Sequence, residues 1–198
     1  MITVVGLGNP GEEYAGTRHN AGRIILEAIA KREGFSDWRD DKKSRALACT
    51  GSVGKTKCQF VLPDNFMNNS GGSVKPFVKS AKDREKLVVV YDDLDLPIGR
   101  IKISFDRGDG GHNGLKDIIA VLKSREFLRV RVGVSPHTPG GALKKPSGEK
   151  AVVDFLMKDF KKEELAELKK LSKKIAEALE CFAADGKEKA MSVYNAFE

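Results

Sequence analysis

Short runs rich in valine and isoleucine alternate along this chain with stretches whose apolar residues recur at helical spacing, and no other feature limits its possible folds as much. Ile2–Leu7 is one such run and reads as a buried strand. Ala21–Arg32 follows, with apolar residues at 24, 25, 28 and 29, the stripe of an amphipathic helix. Arg45–Val53 and Lys57–Leu62 read as strands joined by a turn over Val53–Thr56. Ser70–Lys82 reads as a helix that Pro76 kinks or delays. Lys86–Tyr91 is a second strongly apolar strand and runs into Asp92-Asp93-Leu94-Asp95. Arg100–Phe105 is strand-like, Asp106–Gly111 is a glycine-rich loop, and Leu115–Lys123 is helical with Asn113 as a candidate N-cap. Phe127–Val134 reads as a strand and Ser135–Gly148, rich in Pro, Gly and Lys, as a mobile loop. Glu163–Phe182 sets Leu165, Leu168, Leu171, Ile175 and Leu179 on one face, and a short helix fits Lys187–Phe197. Strand and helix alternation predicts an α/β fold, a mixed twisted sheet with helices on both faces. There is no internal repeat and no separating linker, so residues 1–198 are expected to form one domain, closed by helices over 163–197.

Several function classes drop out on composition. The chain has 198 residues, enough for a sizeable core, and no apolar run near the roughly 20 residues of a membrane span. The opening MITVVGLGNPG has no basic stretch followed by a longer apolar one, so no signal peptide is read and a cytoplasmic protein is expected. Cys49, Cys58 and Cys181 are odd in number, far apart and without a CxxC pair. They read as small core residues in a reducing compartment, not as a disulfide framework or zinc cluster. The net charge of +7 and pI near 9.2 suit a polyanionic partner, because lysines and arginines that meet phosphates release counterions. A basic soluble enzyme explains the same charge equally well.

Two phosphate-binding motifs are approached and missed. Gly6-Leu7-Gly8-Asn9-Pro10-Gly11 matches GxGxxG after a strand. A dinucleotide site needs a helix to open there at once, whereas a polar loop runs on through Arg18 and the acidic residue at the expected distance, Glu27, sits inside a helix. Gly54-Lys55-Thr56 lacks the earlier glycine of a phosphate loop, since Cys49 stands there. No GxSxG or HExxH occurs, and the three histidines are scattered, so no metal is expected.

Polar residues instead gather in loops that follow strand-like runs, where α/β sheets place their ligands. Asn9, Tyr14, His19 and Asn20 follow the first strand; Phe66-Met67-Asn68-Asn69-Ser70-Gly71 precedes a helix; Asp92 and Asp95 follow the strand at 86–91; Gly110-Gly111-His112-Asn113 ends the glycine-rich loop. Tyr14-Ala15-Gly16-Thr17-Arg18-His19-Asn20-Ala21-Gly22 resembles the first signature of bacterial peptidyl-tRNA hydrolases, and Gly110-Gly111-His112-Asn113-Gly114-Leu115-Lys116-Asp117 resembles the second. GLGNPG at 6–11, FMNNSG at 66–71 and DDLDLP at 92–97 are similar to further blocks of that family in the same order, out to about residue 134.

The resemblance implies an esterase that needs no cofactor and frees tRNA from a peptide, acting as a monomer. It assigns catalysis to His19, Asp92, Asn68 and Asn113. His19 would be the general base, since imidazole accepts a proton from water near neutral pH. Asp92 would bond the other ring nitrogen, as a carboxylate does in a triad, with water in place of serine. Substrate contacts fall to Asn9, Tyr14, Met67, Asn68, His112, Asn113 and Arg131. Amides at Asn9, Asn68 and Asn113 both donate and accept, so they can hold a peptide backbone without reading side chains. Asn68 or Asn113 could also stabilise the oxyanion, while helix capping explains Asn113 equally well. Tyr14 and Met67 are walls of the site or core residues. Asp95 shapes the turn before Pro97 or joins the site. His112 serves the substrate or supports its loop.

The partner is peptidyl-tRNA, reached through its single-stranded 3′ end and its phosphates. Arg131 matches a phosphate-contacting position, but Ser104 stands where the family often has the partner lysine, leaving Lys102 or Arg107 to compensate. Arg107 and Gly108 also replace the usual small residues. Lys144 and Lys145 belong to a loop that lies over the tRNA end or is simply solvated. Two other functions compete: a non-catalytic RNA-binding protein on the same fold, against which stand Asn9, His19, Asn68, Asp92 and Asn113 together, and a nucleotide-dependent oxidoreductase resting on GLGNPG alone.

Overall fold

Strand β1 (Ile2–Gly6) lies in the middle of a seven-stranded sheet in a computed structural model that describes every residue except Pro139, Phe197 and Glu198. The other strands are β2 (Arg39–Asp41), β3 (Ala46–Val53), β4 (Thr56–Pro63), β5 (Leu87–Pro97), β6 (Ile101–Phe105) and β7 (Leu128–Ser135), in the order β2-β3-β4-β1-β5-β7-β6. β4, β1, β5 and β7 run parallel, while β2, β3 and β6 are antiparallel additions at the two edges. The expected α/β architecture with a mixed sheet is therefore the observed one.

Side chains alternate across this sheet, and each face meets its own helical layer. Val4, Phe60, Val88, Val90, Val130 and Val132 join one core with helix α1 (Ala21–Glu33) and the later α6 (Lys162–Asp185). Val5, Val61, Leu87 and Val89 join the other with α2 (Ser70–Val74) and α4 (Asn113–Leu122). Apolar area buried on both faces explains why the central strands read as near-continuous apolar runs. α7 (Lys187–Asn195) closes the chain against β6, where Asn195 bonds both backbone groups of Ile103. The expected end of that helix at Phe197 lies outside the described residues.

Three expectations change. The helix expected over 70–82 is broken into α2, a 3-10 turn over Lys75–Phe77 and α3 (Ala81–Arg84). Pro76 can donate no backbone bond, and Ser80 restarts the helix through a capping box with Asp83. The acidic stretch after Tyr91 is strand, since β5 pairs with β7 through Asp93↔Gly133 and, after a register shift, Pro97↔Ser135. Gly133 permits this: a Cβ there would lie 2.0 Å from the Pro97 carbonyl. Helix α5 (Glu149–Leu156) was not read from the sequence at all. The segment before it carries a bridge between His137 and Leu143 and turn bonds such as Lys144 N–H to Pro136 O. Among the described residues no helix is long and apolar enough to cross a membrane.

Candidate active site

β1 ends at Gly6, opposite Val90, while β5 continues past it. The connection from β1 leads towards β3 and β4, and that from β5 towards β6 and β7, which opens a crevice at their carboxyl ends. α1 packs almost onto the strand backbones there. A Cβ on Gly22 would lie 2.2 Å from Val90 O, and one on Gly6 2.7 Å from Gly22 O. A Cβ on Gly8 would lie 2.9 Å from the Asn20 amide. Close approach of α1 and the turn before it thus accounts for Gly6 and Gly8 of GLGNPG without a nucleotide, and Gly11 takes a positive φ of 108°. The same approach also delivers the 3-10 turn Arg18–Asn20, just before α1, over the end of β1 and beside Asp92.

There His19 Nδ1 donates to Asp92 Oδ1 at 2.9 Å, and His112 Nε2 donates to the same oxygen at 2.9 Å. The two imidazole centroids are 4.9 Å apart. Burial alone would lower the His19 pKa, but the Asp92 charge and hydrogen bond outweigh it and raise the pKa above the ordinary imidazole value. Burial alone would push the Asp92 carboxyl up; the two imidazoles that face and bond it hold it well below the usual carboxylate range. Asp92 is therefore an anion at neutral pH, and Nε2 is the His19 ring nitrogen left without a partner among the described residues. His19, Asp92 and His112 are the one group of three candidate metal ligands among the described residues, their atoms within 4.8 Å of one another. A metal would have to displace both ring protons now bonded to the carboxylate.

The three asparagines come together around this centre, in different states. Asn20, buried, accepts from Asn9 N at 2.8 Å and donates to Asn9 O at 2.9 Å. Asn9 Oδ1 in turn accepts from Met67 N at 2.8 Å, which leaves Asn9 its Nδ2–H2 for a ligand. Asn68 and Asn113 are exposed in the cleft, and their amides have no partner among the described residues. Asn113 is not the N-cap of α4. His112 is, with Nδ1 accepting from Leu115 N at 3.3 Å, so the Asn113 amide is free of the helix. Asn20 was recognised in sequence only as a neighbour of His19, and its support of Asn9 needed the fold.

The cleft has a volume of about 1530 Å³. Met67 is buried in its wall and Phe66 is 59% exposed, and Val153 of α5 and Met157 just past its end also line it. Tyr14 does not line the cleft; its ring meets Phe66 edge-on at 6.5 Å. Arg18 ties α5 to this region. Its guanidinium donates to Lys158 O and Asp159 O and pairs with Glu164 at 2.6 Å, between the rings of Phe155 and Phe160. The sequence shows Arg18 inside a signature block but not this anchoring role.

Further along the cleft, Arg131 lies on β7 and its Nε bonds Asp93 at 2.5 Å. Lys102 of β6 is its cross-strand partner, and Ser104 is buried opposite Arg129. Arg129 is fully buried and donates to the carbonyls of Arg107 and Gly108, fixing the loop that leads to His112. Sequence reading missed it, although an arginine alternating with Arg131 inside an apolar strand is a visible signal. Asp95 is exposed and pairs with Lys145 at 2.5 Å, which draws the segment before α5 to the cleft rim. Arg107 lines the cleft as well. Burial pushes the Cys49 thiol up to about 12 and that of Cys58 to about 11, so neither is a nucleophile at neutral pH.

Comparison with known proteins matches residues 3–198 to the family described as Peptidyl-tRNA hydrolase. A peptidyl-tRNA hydrolase of Lachnospira eligens is 37% identical over 196 residues, covering 98% of this chain and 100% of the relative. One from Mycolicibacterium smegmatis is 36% identical over 197 residues, covering 99% and 98%. The crystal structure of peptidyl-tRNA hydrolase from Acinetobacter baumannii superposes with a TM-score of 0.85 at 30% identity, over 100% of this chain and 96% of that one.

Proposed function

The chain belongs to the peptidyl-tRNA hydrolase family, and from that premise we propose that it hydrolyses the ester between a peptide and the 3′ ribose of tRNA with His19 as general base. The observation that carries this reading is the 2.9 Å bond from His19 Nδ1 to Asp92 Oδ1. It fixes the tautomer that leaves Nε2 unprotonated at the cleft, where a water can give up its proton. Asp92 acts through His19, orienting the ring and stabilising the cation that forms.

The hydroxide equivalent attacks the ester carbonyl, whose oxygen takes up negative charge. Asn68 and Asn113 are amides on the cleft wall without partners among the described residues, and donation from either to that oxygen stabilises the tetrahedral intermediate. On collapse the protonated His19 gives its proton to the leaving ribose oxygen, which releases the 3′ hydroxyl of the tRNA and the free peptide and restores the base. Asn9, through Nδ2, holds a peptide carbonyl, and apolar Met67 lies beneath the peptide. Every group in this scheme is a side chain, so turnover is metal-independent and EDTA leaves it unchanged. Binding of the tRNA body rests on phosphate contacts at Arg131 and Lys102.

The test is release of tRNA from an N-acetylated aminoacyl-tRNA by the wild-type chain and His19→Ala, with unblocked aminoacyl-tRNA as control. Fast release lost in the variant is expected. Bound tRNA without release by the wild type would point instead to a non-catalytic RNA-binding protein.

A further inference from the structure

We propose that His112 is a positioning residue, whose Nε2–H holds the Asp92 carboxylate in line with His19 and which makes no polar contact with the substrate. This deepens the reading of His19 as the base and rests on it. It also replaces the sequence-derived expectation of His112 as a substrate contact.

Hydrogen bonding leaves His112 no polar atom to offer a substrate. Nδ1 accepts from the amide of Leu115, and Nε2 lies 2.9 Å from Asp92 Oδ1. Because Nδ1 accepts, the proton sits on Nε2, so helix capping sets the tautomer that Asp92 needs. The side chain is only 7% exposed. The ring is held edge-on against Tyr91 at 4.9 Å, and the loop leading to it is held by Arg129.

One carboxylate oxygen therefore has two imidazole donors that do different work. His112, with its lone pair engaged by the helix, only donates to the charged Asp92 carboxylate. His19 gains a proton during the reaction and uses that charge. A second donor on Oδ1 moderates the pull of Asp92 on His19, keeping more of the base in its reactive form at neutral pH. The ionisable groups facing His112 are Asp92, His19 and Tyr91; His19 and His112 are those that act on Asp92.

Two substitutions separate the roles of the two ring nitrogens. In His112→Asn the amide oxygen replaces Nδ1 and keeps the cap, but the bond to Asp92 is lost. In His112→Gln the amide nitrogen reaches the position of Nε2 and keeps that bond, but the cap is lost. The first readout is the NMR titration of the His19 ring in the free protein, which needs no substrate and stands even if the chain releases no tRNA. His112→Asn should raise the His19 midpoint by about half a unit to one unit. Its kcat at neutral pH should fall about tenfold, with KM unchanged within about twofold. His112→Gln should restore the midpoint and most of the lost kcat. A wild-type midpoint in His112→Asn, or an equal shift in both variants, overturns the proposal; raised KM in both would return His112 to substrate binding.

Discussion

Lys102 stands directly across from Arg131 in the β6–β7 pair, on the sheet face that also carries Arg129. The cation that Ser104 fails to supply is thus available two residues along β6, in the same cleft. Arg131 is oriented by Asp93 through Nε, whereas Lys102 has no ion-pair partner among the described residues. Replacing either with alanine should weaken tRNA binding and lower the slope of log K against log salt by about one each. Binding measured at several salt concentrations checks this, and an unchanged slope for Lys102→Ala would remove it from the phosphate contacts.

Activity should rise with pH through the titration of His19, because only its neutral form is a base. Since Asp92 raises that pKa, the acid limb of the pH–rate profile should lie above the ordinary imidazole value. Asp92→Asn removes the raising charge and leaves burial, so the limb should move to lower pH. The rate should nonetheless fall on the order of 10³–10⁴-fold, because tautomer and cation stabilisation are both lost. A pH profile of kcat/KM decides; an upward shift of the limb would contradict the account of Asp92.

Arg18→Ala should destabilise the protein by about 3 kcal/mol, because it breaks a largely buried ion pair and bonds to two backbone carbonyls. Thermal unfolding should show a Tm lower by roughly 6–12 °C. Hydrogen exchange of α5 should accelerate beyond that of the sheet. Equal acceleration everywhere would mean that Arg18 does not anchor α5 specifically.

Gly22→Ala tests the close approach that delivers His19. In an unconstrained helix the substitution would stabilise by about 1 kcal/mol. Here the new Cβ would meet Val90 O at 2.2 Å, so a loss of about 1–3 kcal/mol or more is expected, together with reduced kcat. A more stable variant with full activity would show that the helix is free to move.

Much of the fold was legible because β1, β4, β5 and β7 are buried on both sides and carry the valine and isoleucine that such strands need. α1, α4 and α6 were legible because each lays one apolar stripe on the sheet. α5 was not, since none of its residues is fully buried and its place depends on Arg18, more than a hundred residues earlier. β2 is a three-residue edge strand of charged residues paired with β3, so it carries no apolar pattern to read.

The sequence by itself determined the layered α/β fold, the family and the side chains that gather at the strand ends, because periodicity and local blocks are properties of short segments. Only the tertiary structure decided how those side chains share their hydrogen bonds. Asp92 lies 73 residues from His19 and 20 from His112, and one oxygen serves both rings. The cap of α4 passed from Asn113 to His112, and Lys102 was set opposite Arg131. Each of these relations is a distance across elements that sequence order does not encode. Each arises where packing of α1 and α4 against the sheet brings separate loops within hydrogen-bond reach.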